Sequence, residues 1–245
     1  MRTILPVLAA FVISAAALAQ PAPLYEAQAI VTGTDMRERP AGLGRCLTDV
    51  LVKVSGAPAL RDDPRVAALA ARAGALVEDF DYRDRMSDRP MMDEQGSRDR
   101  PYTLTCRFAP RKVDAALARL GSRPWRGERP RLLAHVTMTE RGGDSYALAA
   151  DTVKGDRPRA SLLDAAARVG LRVTLPLTDA PPPRGLVPLE GVLRWSDADL
   201  GWVAEWSLLW QQRRHRWRIA GVSFDEAFRN GTEGAAAILS GHARR

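Results

Sequence analysis

Two cysteines, Cys46 and Cys106, are all that the 245 residues contain. That count excludes a disulfide-dense scaffold and a four-cysteine zinc site, and the spacing excludes a Cys-x-x-Cys redox pair. Histidine is almost as scarce: His135, His215 and His242 show no metal-ligand spacing, so neither a metal nor a cofactor is expected. There is no Gly-x-Ser-x-Gly elbow, and Gly143-Asp144-Ser145 falls in a turn signal, so no residue is assigned a catalytic role. The carboxylate pairs Asp62-Asp63 and Asp93-Glu94 lack a pocket pattern that would separate their acidities, and the first is explained by helix capping. Lysine is short too, with Lys53, Lys112 and Lys154 the only ones among 36 basic residues. The net charge of +7 is therefore arginine charge, but 29 acids are interleaved with it throughout. Such mixing reads as a compositional habit rather than a nucleic-acid footprint, and nucleic acid is not an expected partner.

Only one apolar run approaches membrane length, and it opens the chain. Met1-Arg2 precedes the run Ile4 to Leu18, which closes on Ala17-Leu18-Ala19 before Gln20-Pro21. A membrane helix needs about 20 apolar residues, whereas a charged start, a short apolar stretch and a small-x-small site make a secretory signal. Cleavage after Ala19 is expected, releasing into the periplasm a mature chain without a transmembrane segment. No cysteine follows the site to carry a lipid.

Beyond the signal, periodicity sets out alternating strands and helices. Tyr25, Ala27, Ala29 and Val31 alternate as a strand; Leu43, Cys46, Leu47, Val50, Leu51 and Val54 form the apolar stripe of a helix ending at Gly56. Asp63-Pro64 opens a second helix, with a stripe continuing to Leu76. Strands are predicted over 77–85 and 101–108, and a helix over 110–120. The Gly- and Pro-rich stretch 122–130 reads as a linker. After it come a strand at 132–139, a helix at 158–169, a short strand at 171–175 and an extended Pro181-Pro182-Pro183 tract. Three strands follow, 187–195, 201–211 and 217–222, then a capping box, Ser223 to Glu226, and a closing helix in which Asn230-Gly231 threatens a break. The fold class is α/β, more strictly α+β: two small, mostly antiparallel sheets, each with helices packed on one face. The expected units are a signal peptide at 1–19, an N-terminal α/β domain at 20–121, a linker at 122–130 and a C-terminal α/β domain at 131–245.

Three features are candidates for function. The segment 78–100 is densely charged and is either a solvated hairpin or a contact loop, with Asp93, Glu94, Gln95 and Arg98 near its tip. Its flanking triplets, Arg83-Asp84-Arg85 and Arg98-Asp99-Arg100, place opposite charges where an antiparallel pair would bring them together. Arg213, Arg214 and Arg216 form a positive spot, expected at a hairpin tip, that suits an anionic partner. Trp202, Trp206 and Trp210 share one face of a strand, either as a core beneath the helices or as a platform for sugar rings. Cys46 and Cys106 both fall on inward faces, which suits a disulfide in an oxidising compartment.

Taken together, Leu24-Tyr25-Glu26-Ala27-Gln28-Ala29-Ile30-Val31-Thr32-Gly33, Asp49 to Gly56, Tyr82 to Arg85, Asp93-Glu94-Gln95-Gly96, Arg98 to Tyr102 and Gly221 to Asn230 resemble Domain of Unknown Function 2066, a family of exported bacterial proteins. The resemblance implies a Gram-negative envelope protein and supplies no mechanism. The order of elements is also similar to that of envelope accessory α/β domains. The leading expectation is a non-enzymatic envelope accessory protein that binds or scaffolds an envelope protein or a cell-wall component. The alternative is an envelope hydrolase using acids of the 78–100 loop.

Overall fold

A computed structural model describes residues 23–88, 100–181 and 183–243. The expected signal peptide and the loop residues Asp93, Glu94, Gln95 and Arg98 lie outside the described residues.

The alternating start of the chain forms β1 (Glu26–Thr32), with Ala27, Ala29 and Val31 buried. Its partner is β3 (Pro101–Phe108), which also pairs with β2 (Val77–Asp84), giving an antiparallel three-stranded sheet in the order β1-β3-β2. Helix α1 (Arg39–Ser55) lays its stripe of Leu43, Cys46, Leu47, Val50 and Val54 on this sheet. Gly56 ends it in a left-handed conformation (φ 71°), a C-terminal cap that a side chain would strain. Helix α2 (Pro64–Ala70) is capped by the Asp63 side chain accepting from the Arg65 N–H. Its stripe does not continue to Leu76: the chain leaves the helix after Ala70 and makes a separate 3-10 turn over Ala73–Ala75, beside Gly74. A further 3-10 turn, Pro58–Asp62, precedes α2, and α3 (Pro110–Arg119) closes this half.

The second half is a six-stranded sheet with the path β5-β4-β7-β8-β9 and β6 also paired to β4. Its strands are β4 (Arg131–Thr139), β5 (Ser145–Ala147), β6 (Arg172–Thr174), β7 (Val187–Ser196), β8 (Gly201–Trp210) and β9 (Arg213–Val222). β4 runs parallel to β6 and β7, and the other pairings are antiparallel. β5 has only three residues, too few for alternation to declare itself. Helices α4 (Asp156–Arg168) and α5 (Phe224–Ser240) pack on one another, and α5 covers one face of β7, β8 and β9.

Helix α5 runs unbroken through Asn230-Gly231, because Gly231 is where the buried Trp206 ring meets it. A Cβ at Gly231, or at Gly191 of β7 on the far side of the ring, would collide with the indole. The tryptophan row is thus core in its middle, with Trp206 buried and Trp202, Trp210 and Trp217 half-buried around it. Ser223 caps α5 as the sequence pattern indicates, accepting from the Glu226 N–H at 3.2 Å.

The stretch 122–130 lies against both halves. The Trp125 N–H donates to the Val54 carbonyl at 2.8 Å, while Arg129 stacks on the Trp125 ring with its guanidinium carbon 4.3 Å from the centroid. The same guanidinium donates to the Lys53 carbonyl at 2.7 Å and to the Val169 carbonyl at 3.1 Å.

Candidate functional site

The arginines expected at a hairpin tip belong instead to a strand. Gln211 and Gln212, both at positive φ (48° and 62°), make the two-residue turn by themselves, and β9 begins at Arg213. Paired positive φ values define a type I′ turn, usually built with Asn or Gly, so two glutamines carry no turn signal and the sequence alone puts the tip at the arginines that follow. Along β9 the alternation then separates them. His215, Trp217 and Ile219 turn toward α5, whereas Arg214, Arg216 and Arg218 are exposed on the uncovered face of the sheet. Arg213 falls on the opposite face from these three, across from Trp210.

Arg214, Arg216 and Arg218 therefore form a row on one face, successive members about 6.8 Å apart as alternate residues of a strand must be. Opposite them on β8 stand Leu209, Ser207 and Glu205. Arg214 donates to the Ser207 hydroxyl at 3.3 Å, and Glu205 is already bound by Arg194 of β7 at 2.8 Å. Among the described residues none of the three arginines forms an ion pair. Val192 and Leu209 stand 45% and 47% exposed on the same face, so the row borders a partly apolar, uncovered surface. β9 is also the last strand of the sheet, with no second strand beside it among the described residues.

The charged loop gives a different picture. Asp84 at its root pairs with Arg100 at 2.7 Å, which is one of the triplet pairings expected across the strands. Asp79 and Asp81 flank Arg107 at 2.5 and 2.7 Å on the open face of the three-stranded sheet. These acids are thus already engaged with arginines.

A second cluster lies along the outer edge of β1, and the sequence reading did not single it out. Arg45, Asp49 and Lys53 repeat every four residues on α1 and so lie along one side of it. Arg45 donates to the Ile30 carbonyl at 2.8 Å and Lys53 to the Glu26 carbonyl at 2.6 Å. Asp49 accepts from Arg61 at 2.5 Å, and Arg61 also binds Glu233 of α5 at 2.8 Å. Lys53, only 4% exposed as a residue, lines a cavity of about 170 Å³ with Gln28, Asp49, Asp164 and Arg168. Burial pushes its pKa below the ordinary lysine value, partly offset by Asp49 and Glu26. Its partner is a main-chain carbonyl, so the amine works as a cap on an exposed strand edge. The i, i+4, i+8 spacing was visible in the sequence, but nothing there shows that this side of α1 runs beside β1.

Cys46 on α1 and Cys106 on β3 meet in the core, both fully buried, with their sulfurs 2.6 Å apart. The contact with Cys106, followed by burial, pushes the Cys46 thiol pKa well up. A larger depression of about 380 Å³ beside Met36, Arg39 and Leu43 has Arg39 over the Phe80 ring at 4.7 Å.

Residues 19–126 match a family model described as "Domain of unknown function (DUF8605)". The match covers less than half of the chain and ends before the second sheet begins; it supports a likeness to an uncharacterised family, and not the Domain of Unknown Function 2066 expected from the sequence. No curated protein matches the chain. A solved structure described as "Crystal structure of uncharacterized protein" is 11% identical, covering 46% of this chain and 90% of that one with a TM-score of 0.21. That similarity is too low to carry an argument.

Proposed function

We propose that the chain is an exported accessory protein of the Gram-negative envelope that acts by binding another envelope component and has no catalytic role. The observation that carries this reading is the row Arg214, Arg216 and Arg218 on the uncovered face of the six-stranded sheet, none of them in an ion pair among the described residues, the Glu205 opposite Arg218 being bound by Arg194. A protein holds unpaired charge on a flat, partly apolar surface at little cost to its own stability, and such a surface attracts a partner of opposite sign. Export rests on the N-terminal pattern Met1 to Ala19, a charged start, a short apolar run and a small-x-small site. Among the described residues no helix is long and apolar enough to cross a membrane. The hydrolase alternative has less support, because Asp79, Asp81 and Asp84 are spent in ion pairs with Arg107 and Arg100.

The test is crosslinking capture from envelope extract with Arg214→Gln, Arg216→Gln and Arg218→Gln combined. All three are exposed, so each substitution should change stability by no more than about 0.5 kcal/mol, and loss of capture at unchanged Tm is the expected result. Unchanged capture would remove this face from consideration. A parallel variant, Asp93→Ala with Glu94→Ala and Gln95→Ala, tests the charged loop in the same extract.

A further inference from the structure

We infer that the partner enters as an extended acidic segment that adds to the open edge of β9 as a further antiparallel strand. The inference rests on the binding reading above and specifies its chemistry. A two-residue type I′ loop closes on a hydrogen-bonded pair, here Trp210 and Arg213, and such pairs recur at every second residue of an antiparallel ladder. Arg213, His215 and Trp217 therefore direct their main-chain groups to β8. Arg214, Arg216 and Arg218 direct theirs to the free edge.

The residues that offer main-chain donors and acceptors outward are thus the same ones whose guanidinium groups stand on the open face. A strand added at this edge sets its side chains directly across from them on the same face, at the same repeat of about 6.8 Å. Glutamate or aspartate at every second position then meets one arginine each, while the main chains complete the ladder. The register runs straight from Arg213 to Ile219 and is interrupted only by the bulge before Val222, which limits the added strand to about seven residues.

Charge on an edge strand also serves to prevent unwanted pairing. This protein blocks an edge in another way, at β1, where Lys53 and Arg45 of the covering helix occupy the outward carbonyls of Glu26 and Ile30. On β9, among the described residues, no side chain is bonded to the outward main-chain groups of Arg214, Arg216 or Arg218. One edge is closed by the protein itself and the other is left open under a row of positive charge.

The experiment uses the mature chain and two synthetic seven-residue peptides of identical composition, one with Glu at alternate positions and one with the Glu residues in a block. In a fluorescence anisotropy titration the alternating peptide should bind about tenfold tighter, the ratio that three cross-strand charge pairs supply. Hydrogen exchange should show the amides of Arg214, Arg216 and Arg218 protected by that peptide alone. Arg216→Gln should weaken binding in part, and Arg216→Pro, which deletes an outward donor and leaves the bonds to β8 intact, should abolish it. Equal affinity for both peptides, absence of edge protection, or binding only to phosphatidylglycerol vesicles would overturn strand addition. The exchange measurement on the unmutated protein decides the matter even where the proline variant fails to fold. Loss of envelope capture in the triple glutamine variant, with no discrimination between the peptides, would retain the binding surface and discard only the strand.

Discussion

Cys46 and Cys106 face each other across the interface between α1 and β3, sulfur to sulfur at 2.6 Å and sealed from solvent. Protein exposed to a disulfide-bearing oxidant and purified without reductant should therefore contain one disulfide, the two thiols giving up two protons and two electrons to that oxidant. Intact mass after alkylation in denaturant checks it, since the bridged form takes up no reagent and is lighter by two hydrogens. The bond closes a loop of 60 residues and should add about 3 to 4 kcal/mol, so Cys46→Ala with Cys106→Ala should lower Tm clearly in non-reducing buffer. Alkylation of both cysteines in the isolated protein would refute the bridge.

Gly231→Ala sets two effects against each other. Alanine improves intrinsic helix propensity by about 1 kcal/mol, but its methyl would occupy the space of the Trp206 ring. Overpacking a tight core costs about 1 to 3 kcal/mol, and here the ring is held from the other side by Gly191. Net destabilisation in a urea titration is expected, and a stabilised variant would show that α5 can move off the sheet.

Lys53 gives a pH dependence of definite sign. Burial lowers its folded-state pKa, with Asp49 and Glu26 favouring the charged form and Arg129 and Arg168 opposing it. Just below the ordinary lysine pKa of about 10.4 the unfolded chain binds the proton more than the folded one does, so stability from this group rises with pH there. The free-energy difference between wild type and Lys53→Met should accordingly shift in favour of wild type as the pH rises toward about 10. Parallel curves for the two proteins would exclude the effect.

Arg61 joins the halves through Asp49 on α1 and Glu233 on α5, and all three side chains are largely covered. Arg61→Ala strands two partly buried carboxylates and should cost about 2 kcal/mol. Adding Asp49→Asn and Glu233→Gln should recover part of that loss. A triple variant no more stable than the single would mean that packing of the arginine stem, rather than charge, is what matters.

Most strands and helices were legible in the sequence because each buries one face, and burial prints a period of two or of about 3.6 on the residues. Elements without such a face were missed: the three-residue β5, and the 3-10 turns around Pro58 and Gly74. The apolar stripe also ran past the true end of α2, since Ala73 and Leu76 are buried from outside the helix. Asn230-Gly231 misled in the other direction, local propensity being outweighed by the indole that needs the space. For the candidate surface, Arg214 and Arg216 were visible as charge. Their place in β9 depended on two glutamines adopting a glycine-like turn, and Arg218 joined the row only once the strand was in register. The β1 edge was out of reach entirely, because it is made by helix and strand lying side by side.

Arg129 holds Lys53 and Val169 by their carbonyls, and a carbonyl is the one group that every residue at those positions would supply. A joint made this way reads no side chain on either half. At this joint Lys53 and Val169 are free to change their chemistry while the arginine and its tryptophan keep their hold, whereas the Arg61 bridge depends on the carboxylates of Asp49 and Glu233.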